Sequence, residues 1–597
     1  MRPWKAQLGG RHAASEAQPT APQITPSPPS QTQSLAAGER PERRSAARRW
    51  WIPAAWIACG LALFAFFLRI SLSFPMDSDG ANNALQGWAI LHGNVLLHGF
   101  LIGDATYYSL ELPLFALTEL FFGLHSLTVH LVAALTYLTV AVCALAVAVT
   151  GSRGPARAAR CGVVIAVLGA PLLTSAGVGL LLEEPDHTGT SAILLVCLLL
   201  VDRAVGRIFA PVLLCAILCA GQIGDATVLY VGVPMVLVVS AYRVLAARKI
   251  LSGDAAMAVA AAVSVLLATL IRAVMLHFGA YLMVAPHTGI SPRSEWQHHA
   301  VLAFRDIRVL FGTYASQDSA LGDARAVFGM ACLAAAAFGF AKVIWRWRTA
   351  SRAEQMLCAA IVINLAVYIV STMPSPTPSV AREVVAVLPC GAVLAARACL
   401  PGRMVGTVRT WLAMAAAAVI ALLPLASAAT VPPATPAFAP LAAWLEAHGL
   451  KYGIAGYPDA SAVTVQSGDA VQVRAINGPP VGGKYLVITA WETDSYWYSP
   501  SLHDATFVIV DLIARPPNMP AGVFERHLLR QSHIPAAVYE HYLGRPVAVH
   551  QVGRQLILIY QKNLLNQIKC AMPVCPSVQR FAPAWLTLGR LRPASLR

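Results

Sequence analysis

The sequence carries little charge for its length. Only 12% of its 597 residues are charged, while 57% are hydrophobic. A soluble domain carries about twice that charged fraction. Several apolar runs reach the roughly 20 residues that a helix needs to cross a bilayer. The composition therefore excludes an ordinary soluble protein and predicts a multi-pass membrane protein.

Two common signatures of cofactor chemistry are also absent. The sequence contains no CxxC pair with the spacing of a zinc site and no glycine-rich nucleotide-binding loop. It shows no internal repeat of the period that marks solenoid proteins. Two of its 12 cysteines, Cys570 and Cys575, fall in the C-terminal part. If that part lies outside the cytoplasm, we expect a disulfide there.

Positive charge is unevenly distributed along the chain. The formal net charge of +15 is concentrated in the N-terminal tail and in short loops between apolar runs. This pattern is typical of cytoplasmic loops and does not indicate nucleic-acid binding. With the tail in the cytoplasm and the spans alternating, the acidic, histidine-bearing or long connections all lie outside. These outer connections are 75–125, 183–187, 222–226, 279–325 and 374–383.

The apolar runs predict a mainly α-helical protein with about 11 transmembrane helices. The predicted spans are 52–74, 126–150, 161–182, 188–203, 208–222, 226–243, 255–278, 326–345, 355–373, 384–400 and 408–430. The first run begins near Trp51, too far into the chain for a cleavable signal peptide. The predicted parts are a disordered cytoplasmic tail (1–48), a transmembrane domain (50–430) containing a first external loop with interfacial helices (75–125), and an extracytoplasmic α/β domain (431–597).

The C-terminal part has the pattern of a small mixed α/β domain. The stretch 440–457 predicts a helix that ends at Gly449 and is followed by a strand. Apolar and polar residues alternate over 462–476, which predicts two strands around an SGD turn. Further strands are predicted at 505–512 and 551–561.

Two carboxylates directly follow the first apolar run, in FPMDSDGANNALQGWAILHGN (74–94). Apolar residues at helical spacing predict a helix over 79–92 at the membrane interface. Asp77 and Asp79 lie at its N-terminal end, where one carboxylate could accept the orphan backbone N–H groups. A second carboxylate beside the first is unfavourable unless it has another use. The sequence thus leaves two alternatives, a helix cap alone or a functional acid.

Further polar residues lie on the same predicted outer face. Inside a bilayer such groups are costly, and a collection of them indicates a pathway or an active site. Taken singly, each has an ordinary explanation, such as capping a helix. The candidates are Asp104 and Glu111 in GDATYYSLELP, Asp186 and His187 in EEPDHTGTS, Asp225, Arg293, and Arg382 in AREVVAVLP.

This arrangement resembles the GT-C superfamily of membrane glycosyltransferases, which includes protein O-mannosyltransferases, lipid-A aminoarabinose transferases and many actinobacterial integral membrane proteins. The stretch DGANNALQGWAILHGN supplies Asp79 and Gly93, and the aromatic segment YYSLELP ends at Pro113. AREVVAVLP resembles the superfamily's late motif of Arg, hydrophobic run and Pro. Two positions depart from the pattern, because Gly80 stands where Glu is usual and Pro113 is single rather than double.

The resemblance implies transfer of a hexose or pentose from a polyprenyl-phosphate donor to a glycan, lipid or protein acceptor of the cell envelope. The enzyme would lie in the plasma membrane and invert the anomeric centre. Asp79 would be the base that takes the acceptor's proton, with Asp77 as the second candidate. Arg382, and after it Arg293, would contact the donor phosphate.

The other outer residues would orient donor or acceptor: Asp186, His187, Asp104, Glu111 and Asp225. Asp186 and His187 could instead bind a divalent cation, although one Asp–His pair is not a metal signature. Two other functions stay open. The chain could be a transporter, although the sequence shows no paired repeats with broken helices. It could also be an inactive scaffold with the GT-C fold, since Gly80 replaces the usual acid.

Overall fold

The computed structural model describes residues 42–103, 105–284, 289–313, 320–399, 426, 429–480, 483–514, 519, 528–529 and 532–570. The chain divides into two units, residues 1–59 and residues 60–597. The site and the sheets described below all belong to the second unit. The first helix begins at Glu42, inside the predicted tail, and residues 1–41 lie outside the described residues.

Helices dominate the described residues before position 400. They are α1 (Glu42–Ser71), α2 (Ser78–Leu91), α3 (Leu112–Phe122), α4 (Ser126–Ala148), α5 (Pro155–Gly169), α6 (Ser175–Val178), α7 (Thr188–Ala204), α8 (Phe209–Gly224), α9 (Val233–Ala247), α10 (Gly253–His277), α11 (Trp296–Leu310), α12 (Ala320–Trp345), α13 (Arg352–Val370) and α14 (Val387–Cys399).

The chain is a multi-pass membrane protein. Within the described residues six helices are long and apolar enough to cross a bilayer, or up to eight if two bent pairs each count as one span. The predicted count of 11 is not confirmed. The predicted span 161–182 is divided, because α5 ends before Pro171 and Thr174 caps a new helix by accepting from the Gly177 N–H. The last predicted span, 408–430, lies almost wholly outside the described residues.

Two membrane helices are broken in the middle. α6 and its π-helical continuation Gly179–Glu183 meet α7 at 72°. The 3₁₀ helix Pro378–Val384 meets the following helix at 59°. A single-turn π-helix is frequent at functional sites. In a membrane protein, irregular backbone of this kind is tolerated where it lines a cavity, so both breaks point to a site.

The C-terminal part is built on a six-stranded sheet of order β5-β4-β3-β7-β9-β8. β4, β3 and β7 run parallel, and the other neighbours are antiparallel. The strands are β3 (Tyr452–Ala455), β4 (Gln472–Asn477), β5 (Val487–Ile488), β7 (Phe507–Asp511), β8 (Ala548–Val552) and β9 (Gln555–Ile559), and the helices are α15 (Ala439–Ala447), α16 (Tyr457–Gln466) and α17 (Ala536–Leu543).

One predicted strand of this region is a helix. The predictions of α15, β3, β4, β7 and β9 are confirmed, but residues 462–466 belong to α16. Parallel neighbours such as β3 and β4 need a crossover, which is usually a helix. Pro458 in the first turn also favours a helix start. The local alternation of valines and polar residues was therefore misleading.

The C-terminal part is joined to the first external loop. β1 (Phe100–Ile102) lies between β2 (Leu282–Met283), to which it is parallel, and β6 (Thr493–Asp494), to which it is antiparallel. α16 packs on α2, whose residues Gly80–Gly87 are buried. The predicted interfacial helix is thus largely enclosed by protein. α3 instead keeps an exposed apolar face that includes Leu117 and Phe121.

Candidate active site

The two acids at the start of α2 have different partners. Asp77 is the N-cap residue, and its Oδ1 accepts the Gly80 N–H at 2.8 Å. This contact satisfies one of the orphan donors of the helix. Asp79 lies in the first turn, and its side chain is 25% exposed. The two alternatives left by the sequence are thus divided between two residues: Asp77 is the cap, and Asp79 is available for another role.

Asp79 contacts side chains from two distant segments. The Tyr457 hydroxyl, at the start of α16, donates a hydrogen bond to Asp79 Oδ1 at 2.5 Å. Asn82 Nδ2 donates to the same tyrosine oxygen at 2.9 Å, and the Ser461 hydroxyl donates to Asn82 Oδ1. Arg382 Nη1 lies 3.6 Å from Asp79 Oδ2. The C-terminal part therefore contributes directly to the position of this carboxylate.

Arg382 lies at the centre of a group of acids, which we call the Arg382 cluster (Arg382, Asp77, Asp79, Glu184 and Asp186). Its Nη1 contacts Glu184 Oε1 at 3.0 Å and also pairs with Asp186 Oδ2. The arginine comes from one broken helix, and Glu184 and Asp186 come from the break in the other. The two breaks thus bring opposite charges together at the start of α2.

A cavity of about 400 Å³ opens onto this cluster. Asp77, Glu183, Glu184, Asp186 and Arg382 line its polar side, and Leu180 and Pro378 are among its apolar residues. Its volume falls within the usual range for small-molecule sites. The prediction that Asp77, Asp186 and Arg382 face one site agrees with this geometry.

Negative charge exceeds positive charge around the cavity. Burial raises the pKa of Asp77 well above its usual range, and the neighbouring Asp79 and Glu183 carboxylates add to the rise. Oxygen atoms of Asp77, Asp79 and Glu184 lie within 4.8 Å of one another, a spacing that suits a divalent cation. This trio, rather than the predicted pair of Asp186 and His187, has the arrangement of a cation site.

Gly80, which departs from the GT-C pattern, has a steric explanation. A Cβ atom there would lie 2.8 Å from Val129 Cγ1 and 3.0 Å from Asp77 Oδ1. It would also lie 3.5 Å from the Cβ of Glu184. A side chain at position 80 would therefore require Val129 or Asp77 to shift, and Glu184 brings a carboxylate close to this place from the break before α7.

A second polar group lies on the far side of Asp186, and we call it the His187 cluster (His187, Asp225, Thr190 and Glu383). His187 Nδ1 bonds Asp225 Oδ2 at 2.8 Å, while its Nε2 lies 3.6 Å from Glu383 Oε1 and 3.8 Å from Asp186 Oδ1. Asp225 also accepts hydrogen bonds from the Thr190 hydroxyl and, at 2.7 Å, from the Thr227 N–H. His187 and Asp225 are both buried, and a smaller cavity of about 150 Å³ borders them.

The backbone at the His187 cluster is strained. His187 has a φ of 51° and Tyr107 a φ of 47°, a left-handed region that is rare outside glycine. Their rings meet edge to face with centroids 5.8 Å apart. Residues held in such conformations occur most often at functional sites.

Glu111, in the first external loop, supports the break before α7. Its Oε1 accepts the Gly189 N–H at 2.9 Å, and a Cβ at Gly189 would lie 2.3 Å from the same oxygen. Only glycine leaves room for this contact. Glu111 is 1% exposed, and burial raises its pKa to about 8.

Of the other predicted site residues that the structure describes, Glu111 contacts Gly189 and Arg293 belongs to neither cluster. Arg293 is exposed in a short 3₁₀ helix, with its guanidinium 5.9 Å from the Trp296 ring centroid. Asp104 lies outside the described residues. Sequence reasoning in turn missed Tyr457 and gave no role to Glu184 or Glu383. For Tyr457 the available signal was its place directly after a predicted strand, where sites in α/β sheets are found.

Structural comparison identifies the architecture. Sequence comparison finds no matching protein family and no matching curated protein. The structure is similar to that of ArnT from Cupriavidus metallidurans in the apo state, with a TM-score of 0.51 and 11% identity over 87% of this chain and 99% of that chain. The chain has the GT-C fold.

Weaker likenesses occur among other GT-C structures. ArnT from the same organism bound to undecaprenyl phosphate gives a TM-score of 0.49 at 11% identity, over 84% of this chain and 98% of that chain. The oligosaccharyltransferase AglB from Archaeoglobus fulgidus, with an inhibitory peptide and a dolichol-phosphate, gives 0.42 at 10% identity, over 77% and 70%. The GT-C assignment rests on the apo ArnT structure and concerns the fold alone.

Proposed function

We propose that the chain is a membrane glycosyltransferase that moves a sugar from a polyprenyl-phosphate donor to an acceptor outside the cytoplasm. The observation that carries this proposal is the approach of Asp79 to within 3.6 Å of Arg382, which lines a cavity together with Asp77. A carboxylate and a guanidinium are the two groups that such a transfer needs. The GT-C fold agrees with this function, and ArnT is itself described with undecaprenyl phosphate bound.

Asp79 is the proposed base. It would take the proton of the acceptor hydroxyl as that oxygen attacks the anomeric carbon. With one carboxylate base and no covalent intermediate on the protein, the anomeric configuration inverts. Asp77 is the second candidate, but its oxygen already caps α2 and burial favours its protonated form. The choice of Asp79 therefore rests on its exposure and on its partners.

Arg382 is the proposed contact for the departing phosphate. Its guanidinium can bind two phosphate oxygens at once and stabilise the charge that develops on them. A donor phosphate would replace Asp186 and Glu184 as its partner. Arg293 is exposed, and we propose it as an outer contact for the phosphate or for the lipid surface.

A divalent cation is an alternative way to offset the negative charge of the acids in the Arg382 cluster. Asp77, Asp79 and Glu184 fit such an ion by their oxygen spacing. Bound there, it would supply positive charge to the donor phosphate. In that case Asp79 would act as a ligand, and another acid of the cluster would take the proton.

The remaining predicted residues would position the substrates. Asp186 belongs to the Arg382 cluster and also approaches His187. We propose that Asp186, by contacting both His187 and Arg382, couples the position of the His187 cluster to that of the donor site. Glu111 and Asp225 would hold the backbone at the breaks in place. We propose that Asp104, in the first external loop, faces the acceptor.

We also propose the orientation in the plasma membrane. The N-terminus would be cytoplasmic, the spans would number about 11, and residues 431–597 would be extracytoplasmic. Cys570 is disulfide-bonded, which fits an oxidising compartment. Cys575 lies outside the described residues.

Transport is the second candidate function. Broken helices were the feature that the sequence did not reveal, and the structure has two bent pairs. Both breaks, however, converge on one cluster that a C-terminal tyrosine also reaches. This convergence favours a reaction centre over a passage across the membrane.

The test compares wild type with Asp79→Asn. Both are purified and incubated with radiolabelled polyprenyl-phosphate mannose, arabinose or glucose and with cell-envelope acceptor, with and without a chelator. Loss of a general base lowers the rate by about 100- to 10,000-fold. Asp323→Asn is the matched control, because Asp323 is an exposed acid in the first turn of α12.

Consumption of one donor by wild type and Asp323→Asn, but not by a folded Asp79→Asn, is the expected result. Equal activity of Asp79→Asn would remove this residue as the base and transfer the role to Asp77. If wild type consumes no donor with any acceptor, the glycosyltransferase proposal fails. Loss of wild-type activity in chelator, with recovery on adding Mg²⁺ or Mn²⁺, would favour the cation alternative.

A further inference from the structure

Three potential metal ligands lie together in the C-terminal part, outside the Arg382 and His187 clusters. Asp459 is in the first turn of α16, Asp511 is the last residue of β7, and His533 precedes α17. One ligand atom from each lies within 4.8 Å of the others.

The sheet topology explains why the two aspartates meet. β3 and β7 are adjacent and parallel, so their carboxyl ends lie at the same edge. α16 follows directly after β3 and places Asp459 above this edge, while Asp511 ends β7. In open sheets of parallel strands this edge is where ligands bind.

The histidine is held at the same edge by a close backbone contact. A Cβ atom at Gly456, between β3 and α16, would lie 2.3 Å from the Ser532 carbonyl oxygen, so only glycine allows this approach. Ser532 has a φ of 58°, a left-handed conformation that costs a non-glycine residue about 1 kcal/mol or more. The His533 N–H donates to the Leu528 carbonyl at 2.9 Å. The chain thus maintains a strained turn that delivers His533 to the two aspartates.

The ligand atoms are buried, and few polar or charged groups among the described residues offset the cost of burying them. Asp459 is 3% exposed, and among the described residues its carboxylate has neither a hydrogen-bond donor nor an ion pair. The Asp511 side chain is 2% exposed, and His533 Nδ1 is buried without a hydrogen-bond partner among the described residues. Burying a carboxylate without a donor is costly.

We propose that Asp459, Asp511 and His533 form a binding site for a divalent transition metal, with Zn²⁺ the best match. Two carboxylate oxygens and one imidazole nitrogen are ligands that Zn²⁺ and Mn²⁺ accept. Ligand atoms about 2.1 Å from a tetrahedral zinc are about 3.4 Å from one another. The three ligand atoms here lie within 4.8 Å of one another, so side-chain movements of about 1 Å would bring them to that spacing. Three protein ligands leave one position for water.

Arg554 pairs with Asp511 and would compete with a metal ion for this carboxylate. Its Nε lies 3.1 Å from Asp511 Oδ1, and its side chain is 70% exposed. Metal binding would release the exposed guanidinium to solvent, and the ion would replace its positive charge beside the buried Asp511 carboxylate. The metal would join α16 to β7. The site is independent of the proposed sugar transfer, although α16 also carries Tyr457.

The test measures metal directly and uses the full-length, tag-free protein. After chelator treatment, Zn²⁺, Mn²⁺, Mg²⁺ or Ca²⁺ is added, and bound metal per chain and Tm are measured after desalting. We expect about one Zn²⁺ or Mn²⁺ per chain and a higher Tm. Asp459→Asn and His533→Ala should each weaken binding at least about tenfold. The matched controls are Asp504→Asn and His541→Ala, two exposed positions of the same region.

The proposal is overturned if wild type retains no more Zn²⁺ or Mn²⁺ than the triple variant Asp459→Asn, Asp511→Asn, His533→Ala. It is also overturned if only Mg²⁺ or Ca²⁺ raises the Tm, because an imidazole is a poor ligand for these ions. Arg554→Gln keeps all three ligands and removes their competitor. It should bind the metal at least as tightly as wild type, and weaker binding would contradict the proposal even if the ligand variants fail to fold.

Discussion

The Arg382 and His187 clusters are neighbours with opposite characters. In the first, Asp79 and Arg382 are each about one quarter exposed, and Arg382 lines a cavity of about 400 Å³ together with Asp77, Glu184 and Asp186. In the second, His187 and Asp225 are nearly inaccessible, and Asp225 accepts bonds from His187, Thr190 and Thr227. Accessible charge beside a cavity is available to a substrate, whereas buried, hydrogen-bonded charge fixes a backbone. We therefore propose that the first cluster carries the chemistry and that the second supports it.

Substitution of Arg382 tests the first half of this comparison and has the largest expected effect. Arg382→Lys keeps the positive charge among the acids but loses the planar fork. We expect a loss of donor turnover of about 100-fold or more, with a small change in Tm. Turnover and thermal unfolding of the same preparation are compared, with Arg545→Lys, at an exposed arginine, as the matched control. A Lys variant with full activity would show that Arg382 acts only as a counter-charge.

Substitution of Asp225 tests the second half. Asp225→Asn removes the charge facing His187, and breaking a buried pair costs about 3 kcal/mol or more. We expect a lower Tm, with nearly normal turnover per folded molecule. Urea or thermal unfolding measures the loss. If turnover falls more than stability, the His187 cluster takes part in the reaction and the proposed division is wrong.

Tyr457 connects the two regions of the chain, and its removal should have an intermediate effect. Tyr457→Phe deletes the hydroxyl that donates to Asp79 but keeps the ring. A lost hydrogen bond to a charged group is worth about 1.5–3 kcal/mol, so turnover should fall about tenfold or more. Tyr485→Phe, at an exposed tyrosine, is the control. Unchanged turnover and an unchanged pH profile would make Tyr457 a packing residue only.

Substitution of Glu111 should have a smaller effect on stability, and this effect should depend on pH. Its pKa is raised from 4.5 to about 8 in the folded chain, so the folded state favours the protonated form. Its contribution to stability is therefore full below about pH 4.5 and is lost as the pH rises through about 8. Glu111→Gln should remove this dependence and raise the Tm relative to wild type at pH 9 but not at pH 5. A parallel shift at both pH values would contradict the buried protonated state.

The sequence predicted the locations of the site better than its contacts. Charge is conspicuous among apolar runs, and it made three stretches recognisable: the acids after the first span, EEPDH and AREVVAVLP. The stretches 183–187 and 374–383 were predicted as outer connections between separate spans, whereas the structure has bent helix pairs, Ser175–Glu183 with Thr188–Ala204 and Pro378–Val384 with Val387–Ala398. Tyr457 could not be paired with Asp79 from the sequence, since 378 residues separate them and only tertiary packing joins them. Residues 462–466 show the same limit for local structure, because the parallel sheet overrode a strand-like alternation.

The contact at Gly80 links two positions that are far apart in the chain. Because Val129 and Asp77 fill the space beside Gly80, the acid nearest to Asp79 on this side comes from Glu184. A residue with a side chain at 80 would have to displace Val129 or the Asp77 carboxylate, and a side chain that extends beyond its Cβ would also meet Glu184, whose Cβ lies 3.5 Å away. The two positions should therefore vary together among related chains, with the acid supplied by one or the other. Alignments that look for two adjacent acids at 79 and 80 would overlook such chains, whereas a search that scores positions 80 and 184 jointly would retain them.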